Sequence, residues 1–311
     1  MTSFDGHADR HSYLGPAGTF TESALRAVVR DGAHRISRPS ITAALDAVRY
    51  DAFADATVPW ENSTAGTVAE TIRGLALGEP LIIRREVVMP VELVLAVPSR
   101  TALPDVVRIL SHPHALAQAE PWLAEVSPAA AQVQVQSTAR AAEAVSPGRG
   151  TPGDAAICSE STAGMYGLEV IARPPAGAVP AMTRFVVVGR PLAPASTSLA
   201  VPDADEPITT TLLLYLPTSG DPENAEAALK DAGFGGYCTD RDTTAIAGGR
   251  RCRCVHLPGD LPATAIRQVV THLRRRDIGI RYLGGYPAVH PAELPVGSRV
   301  PITDADNHEA A

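Results

Sequence analysis

The sequence predicts an α/β protein of two lobes with a cleft between them, followed by a small α+β module. Short apolar strands alternate with amphipathic helical segments from about residue 12 to residue 190, a pattern typical of largely parallel sheets covered by helices. The pattern restarts near residue 86, and a separate set of strands and helices occupies residues 208–287. In such sheets ligands bind at the carboxyl ends of strands, beside the first turns of helices.

The first lobe is expected at about residues 12–85, completed by an apolar strand at residues 181–190. "YLGPAGTFTESALRAVVR" predicts a strand, a Gly/Pro turn and a helix, and "ITAALDAVRYDAFADATVPW" predicts a helix leading into a second strand. The stretch "VPWENSTAGTV" is then interpreted as the end of this strand and the start of another helix. "MTRFVVVGRP" supplies the strand that is expected to return to this lobe.

The second lobe is expected at about residues 86–180. "EVVMPVELVLAVPS" predicts one long β-rich segment, and "VVRILSHPHALAQAEPWLAEV" predicts a strand, a turn and a helix. "STARAAEAV" predicts a capped helix, and "GDAAICSESTAGMYGLEVIA" predicts a strand, a helix and a further strand. The two lobes therefore have the same kind of layered architecture.

The segments outside the lobes differ in composition. Residues 1–11 are expected to form a disordered leader and residues 288–311 a disordered tail, whereas residues 191–207, rich in Pro, Ala, Ser and acidic residues, are expected to be a linker. In the module at 208–287, Cys252 and Cys254 should share one face of a strand. Two thiols with no nearby second pair are a weak metal signal, so we interpret them as ordinary buried thiols.

Composition excludes several classes of function. A net charge of -7 argues against a general affinity for nucleic acid or anionic membranes. No stretch is long and apolar enough to predict a membrane span, and "MTSFDGHADRH" has neither a basic start nor an apolar core, so we expect a cytoplasmic protein. The only lysine, Lys230, lies in "NAEAALKDAG", the exposed end of a predicted helix. P-loop and Schiff-base chemistry are therefore disfavoured.

Four stretches place hydroxyls and backbone N–H groups where a strand is expected to end and a helix to begin. They are "GPAGTFTES" with Thr19, "ENSTAGT", "SHPH", and Ser137 with Thr138. Such positions bind anions, carboxylates in particular. Each one alone is better explained as an ordinary helix cap. Spacing alone therefore predicts an α/β protein with a site for a small anion.

Several single side chains leave two interpretations open. His112 and His114 flank a proline and can act as acid, base or ligand, but no Asp, Glu or Cys accompanies them at metal-ligand spacing. Arg184 fits either a solvated arginine at a strand entry or a bidentate partner of a carboxylate. Glu61 fits either a general base or an acid favoured by a helix dipole.

Six motifs, in this order, resemble the prephenate dehydratase family over about residues 12–190: "YLGPAGTFTESA", "VPWENSTAGTV", "LSHPHALAQAEPWL", "STARAAEAV", "AAICSESTAGMYGL" and "TRFVVVGRP". The resemblance implies a catalytic domain with the two-lobed fold of type 2 periplasmic binding proteins. The module ending in "IRYLGGYP" resembles the ACT domain (βαββαβ) that commonly follows it and binds phenylalanine as a feedback inhibitor. The implied reaction removes carbon dioxide and water from prephenate to give phenylpyruvate for phenylalanine biosynthesis, without cofactor or metal. A homodimer or homotetramer is implied as well.

The resemblance also implies roles for individual residues. Thr183 would hydrogen-bond or protonate the departing hydroxyl, and Asn62 and Ser63 would orient the substrate. Ser111 would line the catalytic cleft, and His114, at the position of the family's Gln, could as a cation bind a carboxylate or donate a proton. The implied substrate-binding residues are Thr19, Glu61, Ser137, Thr138 and Arg184. A threonine is a poor acid in water, so its role requires a closed, dry cleft.

Three departures from the family's pattern keep other functions open. The family usually has Gln at His114, and tends to have Asn just before Thr-Arg-Phe, where this chain has Met182. "SGDPENAEAAL" and "CTDRDTT" replace the Gly-Ala-Leu turn and the Glu-Ser-Arg-Pro motif of the effector site, which argues against feedback by phenylalanine. The alternatives are a non-aromatising prephenate decarboxylase of a secondary-metabolite pathway and a non-catalytic binding protein for small anions on the same fold. The intact "TRF" favours dehydration.

Overall fold

The computed structural model describes residues 10–191, 208–216, 222–234, 238–239, 243–259 and 261–287. Most of the expected leader, the linker from residue 192 and the tail from residue 288 lie outside the described residues. The strands are β1 Arg10–Leu14, β2 His34–Arg38, β3 Asp55–Asn62, β4 Gly66–Thr67, β5 Ile82–Val91, β6 Val94–Val97, β7 Arg108–Ser111, β8 Ala131–Gln134, β9 Asp154–Cys158, β10 Glu169–Ala172, β11 Ala181–Gly189, β12 Ile208–Leu216, β13 Cys238–Thr239, β14 Thr244–Ala245, β15 Arg251–Pro258 and β16 Gly279–Pro287. The helices are α1 Phe20–Val28, α2 Ile41–Tyr50, α3 Ala69–Ala76, α4 Pro113–Val126, α5 Thr138–Val145, α6 Glu160–Met165, α7 Pro222–Asp231 and α8 Ala263–Arg274.

The first lobe is a mixed sheet in the order β2-β1-β3-β11-β5, with β4 paired to β3. Strand β1 runs parallel to β2 and β3, whereas β11 runs antiparallel to β3 and β5. Strand β11 therefore returns to this sheet after the second lobe. The sheet extends through Val91, which pairs with Ala181, and so ends later than the boundary expected near residue 86.

The second lobe is a five-stranded sheet in the order β10-β6-β9-β7-β8. Strand β7 is parallel to β8 and β9, while β6 is antiparallel to β9 and β10. The segment predicted as one long β-rich run is two strands, because β5 ends at Val91 in the first sheet and β6 starts at Val94 in the second. Buried Leu93 already belongs to the second lobe's core, so the chain passes between the lobes here.

The C-terminal module is a sheet in the order β13-β15-β12-β16, with β14 paired to β15. Leu212 and Leu214 face the core shared with α7 and α8, while Leu213 and Leu283 belong to the first lobe's core, together with Trp60. Both faces are thus covered, which explains the unbroken apolar run of β12. Cys252 and Cys254 are buried on the face toward the first lobe, as their spacing predicts. Within the described ranges, no helix combines the length and the apolar character needed to cross a membrane.

Candidate functional site

A cavity of about 800 Å³ lies between the two lobes. The first lobe contributes Thr19, Asn62 and Thr183 to its wall, and the second lobe contributes His114 and Ser137. The cavity therefore occupies the cleft that the sequence predicts, and it contains residues from all four strand ends singled out there.

Five helices begin at the wall of this cavity. The N-cap residues of α1, α3, α4 and α5 line it, and so do the two residues that flank the N-cap of α2. Arg38 and Arg140 also line it, and no Asp or Glu is among the described lining residues. Because a helix N-terminus carries partial positive charge and N–H groups without intrahelical partners, the cavity is electrostatically suited to an anion.

The stretch "ENSTAGT" is a hairpin turn and not the helix start that the sequence suggested. Strand β3 continues through Asn62, a turn follows, β4 begins at Gly66, and helix α3 starts only at Ala69. Asn62 Oδ1 accepts hydrogen bonds from the backbone N–H groups of Thr64 and Ala65, both at 3.0 Å. An Asn side chain that binds the backbone two residues further on stabilises a turn in competition with a helix.

Asn62 and Thr183 are direct partners in the register between β3 and β11. Asn62 Nδ2 donates to Thr183 Oγ1 over 2.9 Å. The orientation of the amide follows from its other contacts, since backbone N–H donors require the oxygen of Asn62 on the turn side. Asn62 thus joins the turn to the hydroxyl of Thr183 at the cavity wall.

Ser63 binds the other strand's backbone and does not line the cavity. Its N–H donates to the carbonyl of Met182 over 2.8 Å, and its hydroxyl accepts from the N–H of Met182 over 2.9 Å. Ser63 therefore fixes the residue immediately before Thr183. The family tends to have Asn where this chain has Met182. This difference does not affect the contact with Ser63, because both hydrogen bonds use the backbone of residue 182.

Glu61 and Arg184 pair with each other and lie outside the cavity lining. Arg184 Nη1 donates to Glu61 Oε2 over 2.8 Å, and its Nη2 donates to Glu86 Oε2 over 2.7 Å. The three residues are 3 to 4% exposed. The structure places both residues one position away from Asn62 and Thr183, on the opposite face of the strands, because successive side chains of a strand point to opposite faces.

Ser111 does not line the cleft, in contrast to the sequence-based expectation. Its side chain is fully buried, and its hydroxyl donates to the carbonyl of Ile157 over 2.7 Å. This bond crosses from β7 to the adjacent strand β9, so Ser111 stabilises the end of β7 beneath the His112–His114 turn. The cavity wall at this end consists of the residues that follow Ser111.

His112 and His114 both line the cavity, at the start of α4. The N–H of His114 donates to Nδ1 of His112 over 3.3 Å, and their rings meet edge to face with centroids 5.0 Å apart. Burial, together with the positive charge of His114 when protonated, lowers the pKa of His112. In the part of the chain that the structure describes, no group of three or more His, Cys, Asp or Glu side chains is placed to hold a metal ion.

Thr19, Ser137 and Thr138 all line the cavity at helix starts. Thr19 is engaged twice, since its hydroxyl donates to the carbonyl of Leu14 over 3.1 Å and accepts from the N–H of Glu22 over 3.4 Å. Ser137 accepts from the N–H of Arg140 over 3.0 Å. A hydroxyl that accepts in this way can still donate its own hydrogen, so Ser137 is the better placed of the two to bind a carboxylate.

The lining residues that sequence reasoning missed include Arg38, Gln118, Arg140 and Phe185. Gln118 lies four residues after His114 on α4, and Phe185 lies two residues after Thr183 on β11. These spacings place each pair on one face and were available from the sequence. Gln118 is held by a bond from its Nε2 to the carbonyl of Val91, 3.0 Å away. No sequence pattern predicts that contact between lobes.

Comparisons with known proteins agree with this architecture. A family model described as prephenate dehydratase matches residues 11–192. A prephenate dehydratase of Mycobacteroides abscessus is 35% identical over 304 residues, covering 95% of this chain and 94% of that protein. One from Amycolatopsis methanolica is 41% identical over 182 residues, 58% of each chain. The crystal structure of prephenate dehydratase from Arthrobacter aurescens in complex with L-Phe is 30% identical, with a TM-score of 0.73, covering 91% of this chain and 93% of that one.

The fold and the cavity define a two-lobed α/β protein with the architecture of type 2 periplasmic binding proteins and a cleft that is electrostatically suited to a small anion. The chain belongs to the prephenate dehydratase family. It converts prephenate to phenylpyruvate with loss of carbon dioxide and water. The two alternative functions, a decarboxylase that keeps the hydroxyl and a non-catalytic binding protein, are therefore not needed to explain these similarities.

Proposed function

We propose that the cavity is the active site of a carbon–oxygen lyase in which Thr183 assists departure of the ring hydroxyl of prephenate. The observation that carries this proposal is the Asn62–Thr183 hydrogen bond at the wall of a cavity onto which five helix N-termini open. Prephenate is a dianion, and its two carboxylates suit these positive helix ends. A hydroxyl group at this wall can stabilise the leaving oxygen as negative charge develops on it, provided that the bound substrate excludes water.

In the proposed reaction, the bond between the ring and its carboxylate breaks and carbon dioxide leaves. The electron pair enters the ring, which becomes aromatic as the carbon–oxygen bond to the hydroxyl breaks. The departing hydroxide takes one proton and leaves as water, so the dianion and one proton give the phenylpyruvate monoanion, carbon dioxide and water. Thr183 donates its hydrogen bond to the departing oxygen, and Asn62 holds Thr183 from the other side.

The carboxylates are assigned to the helix ends of both lobes. Ser137 and Thr138 at the start of α5 and His114 at the start of α4 contact the substrate from the second lobe, while Thr19 contributes the start of α1 from the first. Support comes from their position in the wall and from the lack of acidic side chains among the described lining residues. Ser63, Glu61, Arg184 and Ser111 are assigned supporting roles, since their described contacts are within the protein.

Regulation, assembly and location belong to the same proposal. The Arthrobacter aurescens prephenate dehydratase was crystallised with L-Phe. In this chain the stretches that depart from the effector motif, "SGDPENAEAAL" and "CTDRDTT", lie partly outside the described residues. Their sequence supports an enzyme that phenylalanine does not inhibit. A homodimer or homotetramer in the cytoplasm is proposed from family membership.

The test is to incubate the purified protein with prephenate, to follow phenylpyruvate by its ultraviolet absorbance in alkali, and to analyse the products by mass. Enzyme-dependent phenylpyruvate is the expected product, with an unchanged rate when phenylalanine is added. A decarboxylated product that retains the hydroxyl, or unchanged prephenate, would contradict the proposed function. Inhibition by phenylalanine would contradict only the regulatory part.

A further inference from the structure

We propose that Glu61, Arg184 and Glu86 form a buried ion cluster whose function is to hold Thr183 and Asn62 in their reactive geometry, with Glu86 as a positioning residue. The inference rests on the proposed function of Thr183. The three side chains are almost wholly buried, and none of them lines the cavity. A direct contact with substrate is therefore not their role.

The cluster joins the three strands that meet behind the active site. Arg184 on β11 bridges to Glu61 on β3 and to Glu86 on β5, using a different guanidinium nitrogen for each carboxylate. The distances of 2.8 and 2.7 Å are those of charge-assisted hydrogen bonds. Two such bonds on one planar guanidinium fix its orientation, and with it the backbone of the strand that carries it.

The register between β3 and β11 links the orientation of Arg184 to the positions of the two reactive residues. Thr183 is opposite Asn62 and Arg184 is opposite Glu61, whereas Phe185 is already opposite Pro59. One residue, Trp60, is therefore left over on β3, which makes a β-bulge directly beside the two reactive residues. A bulge bends its strand and increases the local twist, so it changes the direction of the side chains beside it. A shift of register by one residue would turn these side chains to the other face.

The buried cluster lies directly beside this bulge, because Arg184 and Glu61 are the last opposed pair before it. The pairing of Glu61 with Arg184 selects the register in which Asn62 and Thr183 meet. The bond from Arg184 to Glu86 ties the same arginine to β5 on the other side of β11. The loss of either carboxylate removes one charged bond between β11 and a neighbouring strand. Backbone pairing still holds the three strands together, but the distance between Asn62 and Thr183 is then fixed less tightly.

A matched pair of variants separates this role from ordinary stability. Glu86→Gln keeps the shape of the side chain and removes its charge, and Arg184→Lys keeps the charge but cannot reach two carboxylates. The control is Arg84→Lys, which alters a second buried pair in the same sheet, between Arg84 Nε and Asp55 Oδ1 at 2.8 Å. Asp55 is the first residue of β3 and Asn62 is the last, so the control lies at the far end.

The measurements are kcat and KM for prephenate and the thermal unfolding midpoint, for each variant alone and combined with Thr183→Ala. We expect Glu86→Gln and Arg184→Lys to lower kcat at least about tenfold with KM nearly unchanged. The Arg84→Lys control should lose stability but keep its kcat. In the Thr183→Ala background the two cluster variants should cause little further loss, because they act through the hydroxyl that is already absent.

Two outcomes would overturn the positioning role: a loss of kcat no greater than in Arg84→Lys, or an equal loss with and without Thr183. If one cluster variant does not fold, the other carries the test, since Glu86→Gln weakens the charged bond to β5 and Arg184→Lys removes the planar fork that binds both carboxylates. If the single variant Thr183→Ala, with all three cluster residues kept, has a normal kcat, the proposed function of Thr183 is instead contradicted. The two failures are therefore distinguishable.

Discussion

Asn62 and Thr183 lie opposite each other on antiparallel strands, and the amide of Asn62 donates to the hydroxyl oxygen of Thr183 over 2.9 Å. A threonine hydroxyl has one hydrogen to donate and two sites that accept. Because Asn62 occupies an accepting site, the hydrogen of Thr183 is available for a second partner. The donated bond also makes the hydroxyl a better donor, since bonded groups polarise one another.

Replacing Asn62 by Asp should reverse this arrangement. An ionised carboxylate only accepts, so Thr183 would donate to residue 62 and not to the departing oxygen. The oxygen that accepts from Thr64 and Ala65 is kept, so the turn should remain. We expect kcat to fall about 100-fold, the lower range for loss of a positioned proton donor. Steady-state kinetics with prephenate measure it, and thermal unfolding provides the control for folding.

A kcat within about threefold of the unchanged chain would show that the amide is not required to hold Thr183. Asn62→Ala serves as the comparison, because it removes the donor without adding charge. Asn62→Ala should be less impaired than Asn62→Asp in kcat but more impaired in stability, since it also loses the turn contacts.

The start of α4 should make folding sensitive to acid. The pKa of His112 is lowered below its ordinary value of 6.5 by burial and by repulsion from His114. The unfolded chain therefore takes up this proton at higher pH than the folded chain. The contribution to stability is complete above about pH 6.5 and is lost as the pH falls from there toward the lowered pKa of the folded state.

His112→Asn removes this titration and keeps a good helix cap. Its thermal unfolding midpoint should fall less than that of the unchanged chain between about pH 7.5 and about pH 5.5. Midpoints from circular dichroism at both pH values measure the effect. Equal falls in the two proteins would mean that protonation of His112 does not destabilise the fold.

Local sequence patterns predicted the layered architecture of this protein. The details that they did not predict depend on specific side-chain hydrogen bonds, many of them between residues distant in sequence. The alternation of strands and helices and the capped segments at Thr19 and Ser137 were sufficient for two lobes, a cleft and a C-terminal module. "ENSTAGT" was misread as a helix start because Asn, Ser and Thr stabilise caps and turns by the same side-chain bonds. The turn bonds of Asn62 decide between the two.

The remaining errors have a common physical cause. Ser111 is at a strand end as predicted, but its hydroxyl binds a carbonyl 46 residues away and is buried. The resemblance implied that Arg184 binds substrate, whereas its described partners are two carboxylates of the protein, 123 and 98 residues away. No local pattern reports such pairings, so a single sequence suggested the substrate as the partner.

The C-terminal module is expected to depend on a close approach at Gly284. This residue has a φ of +127°, and a Cβ there would lie 2.6 Å from the carbonyl oxygen of Ile83 on β5. Gly284→Ala should therefore force β16 away from the first lobe and cost about 1–3 kcal/mol through overpacking. Denaturant-induced unfolding measures this loss of stability.

Gly259→Ala is the matched control, since Gly259 also has a positive φ of +82° but nothing lies within 4 Å of its Cβ position. It reports the cost of backbone strain without the clash. If both variants lose the same stability, the contact between β16 and β5 does not constrain residue 284.

The role of the Thr183 hydroxyl is tested most directly by the kcat for prephenate of Thr183→Val, with Thr183→Ser as the matched variant. Valine keeps the shape of threonine and removes the hydroxyl, whereas serine keeps the hydroxyl and removes a methyl group. We expect Thr183→Val to lose at least about 100-fold in kcat, whereas Thr183→Ser should stay within about tenfold of the wild-type value. A Thr183→Val enzyme that forms phenylpyruvate at a near-normal rate would contradict this role of the hydroxyl.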